Sequence, residues 1–224
     1  MLRAVIFDFN GVVVDDERIH FNAFKKVLQE EGISLTESDY YTHYLGMDDR
    51  GCFQATHRSA GRSLDDDSLR LLIERKAVHY RTLIESGVII FPGVRELLRD
   101  LAPRFPLAIA SGALRHEIEE ILAKSGLRDF FRVIVSAEDV SAGKPNPEIF
   151  LRALDLMNRW GDTPIMATQC LVIEDSKEGI SAAKGAQMMC LAVTNSYPAS
   201  ELPAADAVVA SLDKVDATFL VKLF

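Results

Sequence analysis

Five side chains capable of polar chemistry stand at or just past the ends of short apolar runs. Ala4-Val5-Ile6-Phe7 runs into Asp8, and Pro106-Leu107-Ala108-Ile109-Ala110 runs into Ser111. Phe131-Arg132-Val133-Ile134-Val135 leads towards Gly143-Lys144-Pro145, and Cys170-Leu171-Val172-Ile173 ends in Glu174 and Asp175. Any one of these is explained by turn chemistry, since Asp and Ser commonly open turns. Taken alone, Asp8 reads equally well as the start of a surface turn. Four runs with the same ending fit a site better. Carboxylates from two strands can share a hard cation such as Mg²⁺, which takes oxygen ligands. An Asp carboxylate is also a nucleophile in covalent catalysis of phosphoryl transfer. A dianionic substrate would be repelled by that carboxylate unless cations offset its charge, and Mg²⁺ held by Asp8 and Asp175, with Lys144, would supply the offset. Ser111 and the N–H groups of Gly112 and Ala113, at a helix N-terminus, suit phosphoryl oxygens.

The elements that must position these groups follow from the pattern. The four runs, with Met188–Val193, read as strands buried on both faces, and helical stretches of about ten residues separate several of them. That alternation predicts parallel βαβ units in an α/β, doubly wound parallel sheet with right-handed crossovers. Ligands of such sheets bind at the carboxyl ends of the strands, where the five side chains would meet. Val208-Val209 is a candidate edge strand. Residues 36–86 carry no strand pattern but helical ones near 37–45, 49–58 and 65–86, after an amphipathic helix over 16–31. The predicted organisation is a core of residues 1–14 and 88–224 with an inserted helical cap of 15–87.

Composition sets bounds. The chain has 224 residues, 48% of them hydrophobic and 26% charged, as in ordinary globular proteins. Its formal net charge of −8 argues against nucleic acid as a partner. No run approaches the roughly 18 apolar residues of a membrane span, and the N-terminus lacks the three-part signal-peptide pattern. The scattered Cys52, Cys170 and Cys190 suggest reduced, buried thiols. A cytoplasmic monomer is the expectation. Trp160 reads as packing, Asp65-Asp66-Asp67 as a helix cap or a solvated run, and Arg115 as a solvated helix residue.

Asp8-Phe9-Asn10-Gly11-Val12-Val13-Val14-Asp15-Asp16-Glu17, Ala110-Ser111-Gly112, Gly143-Lys144-Pro145-Asn146-Pro147 and Val172-Ile173-Glu174-Asp175-Ser176 resemble, in order, the four motifs of the haloacid dehalogenase superfamily. The helical insert after the first motif is similar to the C1-type cap of the β-phosphoglucomutase and phosphoglycolate phosphatase branch. The resemblance implies that Asp8 is a nucleophile forming an aspartyl-phosphate and a Mg²⁺ ligand, and that residue 10 gives the metal its backbone carbonyl. It implies that Ser111 and Lys144 bind the phosphoryl group, that Asp175 is a Mg²⁺ ligand, and that Glu174 is a ligand or a group behind one. His20 and Gly46 fall where the family often faces substrate; a packed position on its helix is an equal reading for His20.

One departure matters. The family's phosphatases and mutases usually carry Asp at the position of Asn10, where it protonates the leaving oxygen and then activates water. An amide has no proton to give in the working range, and general acid–base catalysis is worth about 10²–10⁴-fold. Three readings are open: a natural variant using good leaving groups or another acid (Asp15, Asp16 or Glu17), an impaired protein that binds a phosphate ligand, or an engineered Asp→Asn change. The expected activity is a Mg²⁺-dependent phosphatase of a small phosphorylated metabolite. The alternatives are a sugar-phosphate mutase and a catalytically impaired phosphate-ligand binder. A dehalogenase fits less well, since C–Cl displacement needs no metal site.

Overall fold

The computed structural model describes residues 1–85, 87–159 and 163–224; Trp160 lies outside them. The chain divides into two compact units, Met1–Asp15 with Ile90–Phe224, and Asp16–Ile89. In chain order the strands are β1 (Ala4–Phe7), β2 (Val14–Asp15), β3 (Ile89–Ile90), β4 (Leu107–Ala110), β5 (Val133–Val135), β6 (Cys170–Glu174), β7 (Met189–Val193) and β8 (Ala207–Val209). The helices are α1 (Glu17–Glu30), α2 (Glu37–His43), α3 (Asp49–Ser59), α4 (Asp66–Ile84), α5 (Val94–Leu101), α6 (Arg115–Ser125), α7 (Glu148–Asn158), α8 (Lys177–Gly185) and α9 (Ala217–Val221).

Among the described residues of the larger unit, six strands form one sheet in the order β5-β4-β1-β6-β7-β8, every neighbouring pair parallel. This is the doubly wound α/β fold expected from the alternation of apolar runs and helices. Every residue of β1, β4, β5 and β6 is buried, as strands covered on both faces require. One core layer packs Ala4, Ile6, Ala108, Val172 and Cys190 against Phe150 and Met157 of α7 and Ile180 and Ala183 of α8. Phe7 meets Phe131 edge-on at 5.8 Å between ring centroids.

Register decides what the strand ends deliver. Phe7 lies opposite Ile109 on β4 and Ile173 on β6, so Asp8 emerges level with Ala110 and Glu174. The Asp8 N–H donates to the Ile173 carbonyl at 2.9 Å and closes this edge of the ladder. Lys144 departs from the sequence expectation: β5 ends at Val135, and a loop carries Lys144 to the site from nine positions further on. Two-residue strands β2 and β3 form a separate ladder. The sequence pattern had shown neither, because two residues carry no periodicity.

The smaller unit is helical, α1 to α4. Its core packs Phe21, Phe24, Val27 and Leu28 of α1 against Tyr40, Phe53, Leu69 and Leu72. Asp65 caps α4, accepting from the Ser68 N–H at 2.7 Å, so the acidic run at 65–67 has a local structural role at its first residue. No helix among the described residues is long and apolar enough to cross a membrane. The three cysteines are free and buried, and burial pushes all three thiols up, Cys170 to about 12.

Candidate active site

At the carboxyl ends of the central strands, Asp8, Glu174 and Asp175 each offer an oxygen within 4.8 Å of the others, and all three are buried. Lys144 stands among them. Its Nζ donates to Asp8 Oδ1 at 2.7 Å and to Glu174 Oε1 at 2.6 Å, with its side chain 10% exposed. Burial alone would lower the ammonium's affinity for its proton, but the two carboxylates outweigh it and hold Lys144 above its ordinary value. Burial pushes the Asp8 carboxyl up to about 6; Lys144 opposes that rise and the Glu174 charge adds to it. One ammonium against three carboxylates leaves a concentrated negative charge. An all-oxygen, anionic donor set of this kind fits a hard divalent cation such as Mg²⁺.

Glu174 is bound back into its own loop. Its Oε2 accepts from the Asp175 N–H, the Ser176 N–H and the Ser176 hydroxyl at 2.8, 2.8 and 2.9 Å. Ser176 also caps α8, accepting from the Gly179 N–H at 3.0 Å. Gly179 leaves the space: a Cβ there would lie 1.7 Å from Glu174 Oε1. With Oε1 on Lys144 and Oε2 on the loop, Glu174 is built to orient Lys144 and the Asp175 backbone.

The loop after β1 is a tight turn in which the Phe9 carbonyl accepts from the Val13 and Val14 N–H groups at 2.8 and 3.1 Å. Gly11 turns it at φ +78°, and a Cβ there would sit 2.0 Å from Asp175 Oδ2. Both the left-handed backbone and the close carboxylate call for glycine. Asn10 lies beside Ser111, whose hydroxyl donates to Asn10 Oδ1 at 3.3 Å.

At the helix N-terminus after β4, one of the two N–H donors expected there, that of Ala113, already has a partner. The Ala113 N–H donates to Ser111 Oγ at 3.2 Å, the Leu114 N–H to Glu117 at 3.3 Å, and the Arg115 N–H to Glu138 at 2.7 Å. Those three donors are therefore engaged within the protein. Arg115 is not merely solvated: its guanidinium pairs with Asp139 at 2.5 Å and donates to the Ile134 carbonyl at 3.0 Å.

Two residues after β7 also reach the carboxylate pocket. Asn195 Nδ2 donates to the Gly11 carbonyl at 2.7 Å, and the Ser196 hydroxyl donates to Asp175 Oδ2. Their signal is faint, a polar Thr-Asn-Ser stretch after a strand, but β7 is parallel to β6 and ends on the same edge.

Within the helical unit, His20 is buried in a polar network that sequence reading also missed. The fully buried Lys76 approaches His20 Nδ1 and Asp49 Oδ1, each at 2.8 Å. A protonated Lys76 donates only, so Nδ1 accepts and Nε2 carries the hydrogen towards Asp16 Oδ2 at 3.2 Å. Tyr80 donates to the same Asp16 oxygen, and Tyr40 donates to Glu17 at 2.5 Å. Asp16 and Glu17, considered above as substitute acids, are thus bound to partners inside this unit. Gly46 is an exposed turn residue at φ +81°.

Comparison with known proteins gives a consistent picture. Residues 5–193 match the family described as haloacid dehalogenase-like hydrolase. A phosphorylated carbohydrates phosphatase from Thermotoga maritima is 34% identical over 188 residues, 83% of this chain and 82% of that protein. The CbbY protein of Rhodobacter capsulatus is 30% identical over 88% of this chain and 87% of its own. A chloroplastic 5-amino-6-(5-phospho-D-ribitylamino)uracil phosphatase from Arabidopsis thaliana is 31% identical over 97% of this chain, which spans only 57% of that relative's length. Among solved structures, β-phosphoglucomutase from Clostridium difficile superposes with a TM-score of 0.88 over 100% of this chain and 97% of its own, at 24% identity.

Proposed function

The chain belongs to the haloacid dehalogenase-like hydrolase family, and from that premise we propose that it is a Mg²⁺-dependent phosphatase of a small phosphorylated metabolite. The observation that carries the reading is the Asp8–Lys144–Glu174 arrangement beside Asp175: a nucleophile, a fixed cation and an anionic, all-oxygen pocket at one sheet edge. Asp8 and Asp175, with the backbone carbonyl of Asn10, would hold the metal, and Glu174 would stand behind them. Bound there, the metal supplies positive charge against the phosphoryl group and the developing transition state.

The chain's own residues carry the rest. Lys144 and the Ser111 hydroxyl bind and orient phosphoryl oxygens, with the Gly112 N–H beside them. The Asp8 carboxylate attacks phosphorus, the bond to the substrate oxygen breaks, and an aspartyl-phosphate forms. Water then attacks that acyl phosphate, releasing phosphate and regenerating Asp8. The weak step is the departing oxygen, which needs a proton that the Asn10 amide does not supply. Esters whose leaving group is stable as an anion escape that demand. The roles of His20 and Gly46 towards substrate rest on the family resemblance.

A relative named for phosphorylated carbohydrates supports a carbohydrate phosphate as the substrate class. A solved putative β-phosphoglucomutase from Thermotoga maritima, 28% identical with a TM-score of 0.71, favours mutase chemistry as the second reading. Mutase turnover leans hardest on the acid missing at residue 10. The test is phosphate release from a phosphometabolite panel and p-nitrophenyl phosphate with Mg²⁺. Metal-dependent release lost in Asp8→Ala is the expected result. Thermal stabilisation by ligand with no turnover, in the wild type and in Asn10→Asp alike, replaces the enzyme with a binding protein.

A further inference from the structure

The loop following β7 touches both halves of the carboxylate pocket with adjacent residues. Asn195 holds the Gly11 carbonyl in the turn that follows Asp8, and Ser196 holds Oδ2 of Asp175. These contacts join three loops, those after β1, β6 and β7, whose strands are neighbours in the sheet. The same Oδ2 of Asp175 lies against Gly11, where even a Cβ would collide with it. A carboxylate oxygen held by a hydroxyl and packed against a glycine has little freedom to rotate.

The loop that supplies the hydroxyl is itself anchored. The Thr194 N–H donates to the Val209 carbonyl at 3.0 Å, continuing the β7–β8 ladder. Tyr197 packs on the core layer beneath the sheet, and Lys177 Nζ lies 4.6 Å from its ring centroid. Lys177 also pairs with Glu201 at 2.5 Å. Ser196 thus stands between two fixed points, two residues after Thr194 and one before Tyr197.

We propose that Asn195 and Ser196 are positioning residues for the metal site. Ser196 fixes the rotation of the Asp175 carboxylate, and Asn195 fixes the turn that presents Asp8 and the Asn10 carbonyl. Outer hydrogen bonds of this kind typically change metal affinity by about 10- to 100-fold. The inference rests on the metal reading given above, so its test separates the two.

Mg²⁺ and Mn²⁺ binding are measured by calorimetry on the full chain without substrate, for wild type, Ser196→Ala, Ser196→Thr, Asn195→Ala and Asp175→Ala. Unfolding in EDTA is followed for each to verify folding. Ser196→Ala and Asn195→Ala are each expected to weaken binding at least tenfold, and Ser196→Thr, which keeps the hydroxyl, to recover most of it. The metal concentration giving half-maximal activity rises in parallel, while the rate at saturating metal changes less. Wild-type affinity in Ser196→Ala and Asn195→Ala, beside loss in Asp175→Ala, overturns the positioning role and leaves the metal reading standing. Undiminished binding in Asp175→Ala overturns both.

Discussion

Asp8 is buried next to one cation and one anion, and its carboxyl is pushed up to about 6. The folded chain therefore binds that proton more tightly than the unfolded chain does, for which the ordinary value is 3.8. Between about pH 4 and pH 6 the folded state holds more protons, so stability falls as pH rises through that window. Above it, the ionised side chain is held at a net cost to stability. In EDTA, Asp8→Asn is expected to be more stable than wild type at pH 8, with the difference vanishing near pH 4; urea titrations at both values decide it. A bound cation favours the ionised carboxylate, so added Mg²⁺ should move the acid limb of kcat/KM to lower pH. Asn10 gives the second expectation at this scale. Asn10→Asp should raise hydrolysis of an alkyl phosphate by at least tenfold and that of p-nitrophenyl phosphate by much less, because nitrophenolate leaves without a proton. Equal effects on the two esters would remove the missing-acid explanation.

Helix α8 contains two glycines with opposite demands. At Gly179 a Cβ would lie 1.7 Å from a Glu174 oxygen, whereas at Gly185 it would rest 3.5 Å from the Pro147 side chain, an ordinary contact. Gly179→Ala should displace Glu174, cost about 1–3 kcal/mol as overpacking does, and reduce activity by loosening Lys144. Gly185→Ala should be neutral or stabilising by up to about 1 kcal/mol, the usual return from replacing a helical glycine. Denaturant midpoints of the two variants, measured together, test the pair. What could be read in advance follows the same physics. Apolar runs such as Ala4–Phe7 and Cys170–Ile173 announced buried parallel strands, and strand direction then brought their polar ends to one edge. The convergence of Asp8, Ser111 and Asp175 was visible for that reason. Little that is local marks Asn195 and Ser196 beyond a polar stretch after a strand, because their contacts come from β7 lying beside β6. Nor did spacing link His20 to Lys76, 56 positions away on another helix. The five-residue α9 is too short for a periodic signal.

Across the whole chain the formal charge is −8, and three of its carboxylates share one small buried volume. Cations can therefore stabilise the protein in two ways that differ in kind. General screening relieves long-range repulsion and depends on ionic strength, with a Debye length of about 10 Å at 0.1 M. Site binding depends on the divalent ion itself and follows mass action, giving about 2.7 kcal/mol at one hundred times Kd. For a chain of this length, that corresponds to a rise in Tm of roughly 5–10 °C. MgCl₂ should therefore raise Tm well beyond NaCl at matched ionic strength. Asp175→Asn should erase the excess while leaving the NaCl response unchanged, since one charge among many hardly alters screening. Equal shifts with the two salts would mean that the buried carboxylates hold no metal and that the acidity of the whole surface accounts for the response, whereas an undiminished Mg²⁺ excess in Asp175→Asn would put the divalent site away from Asp175.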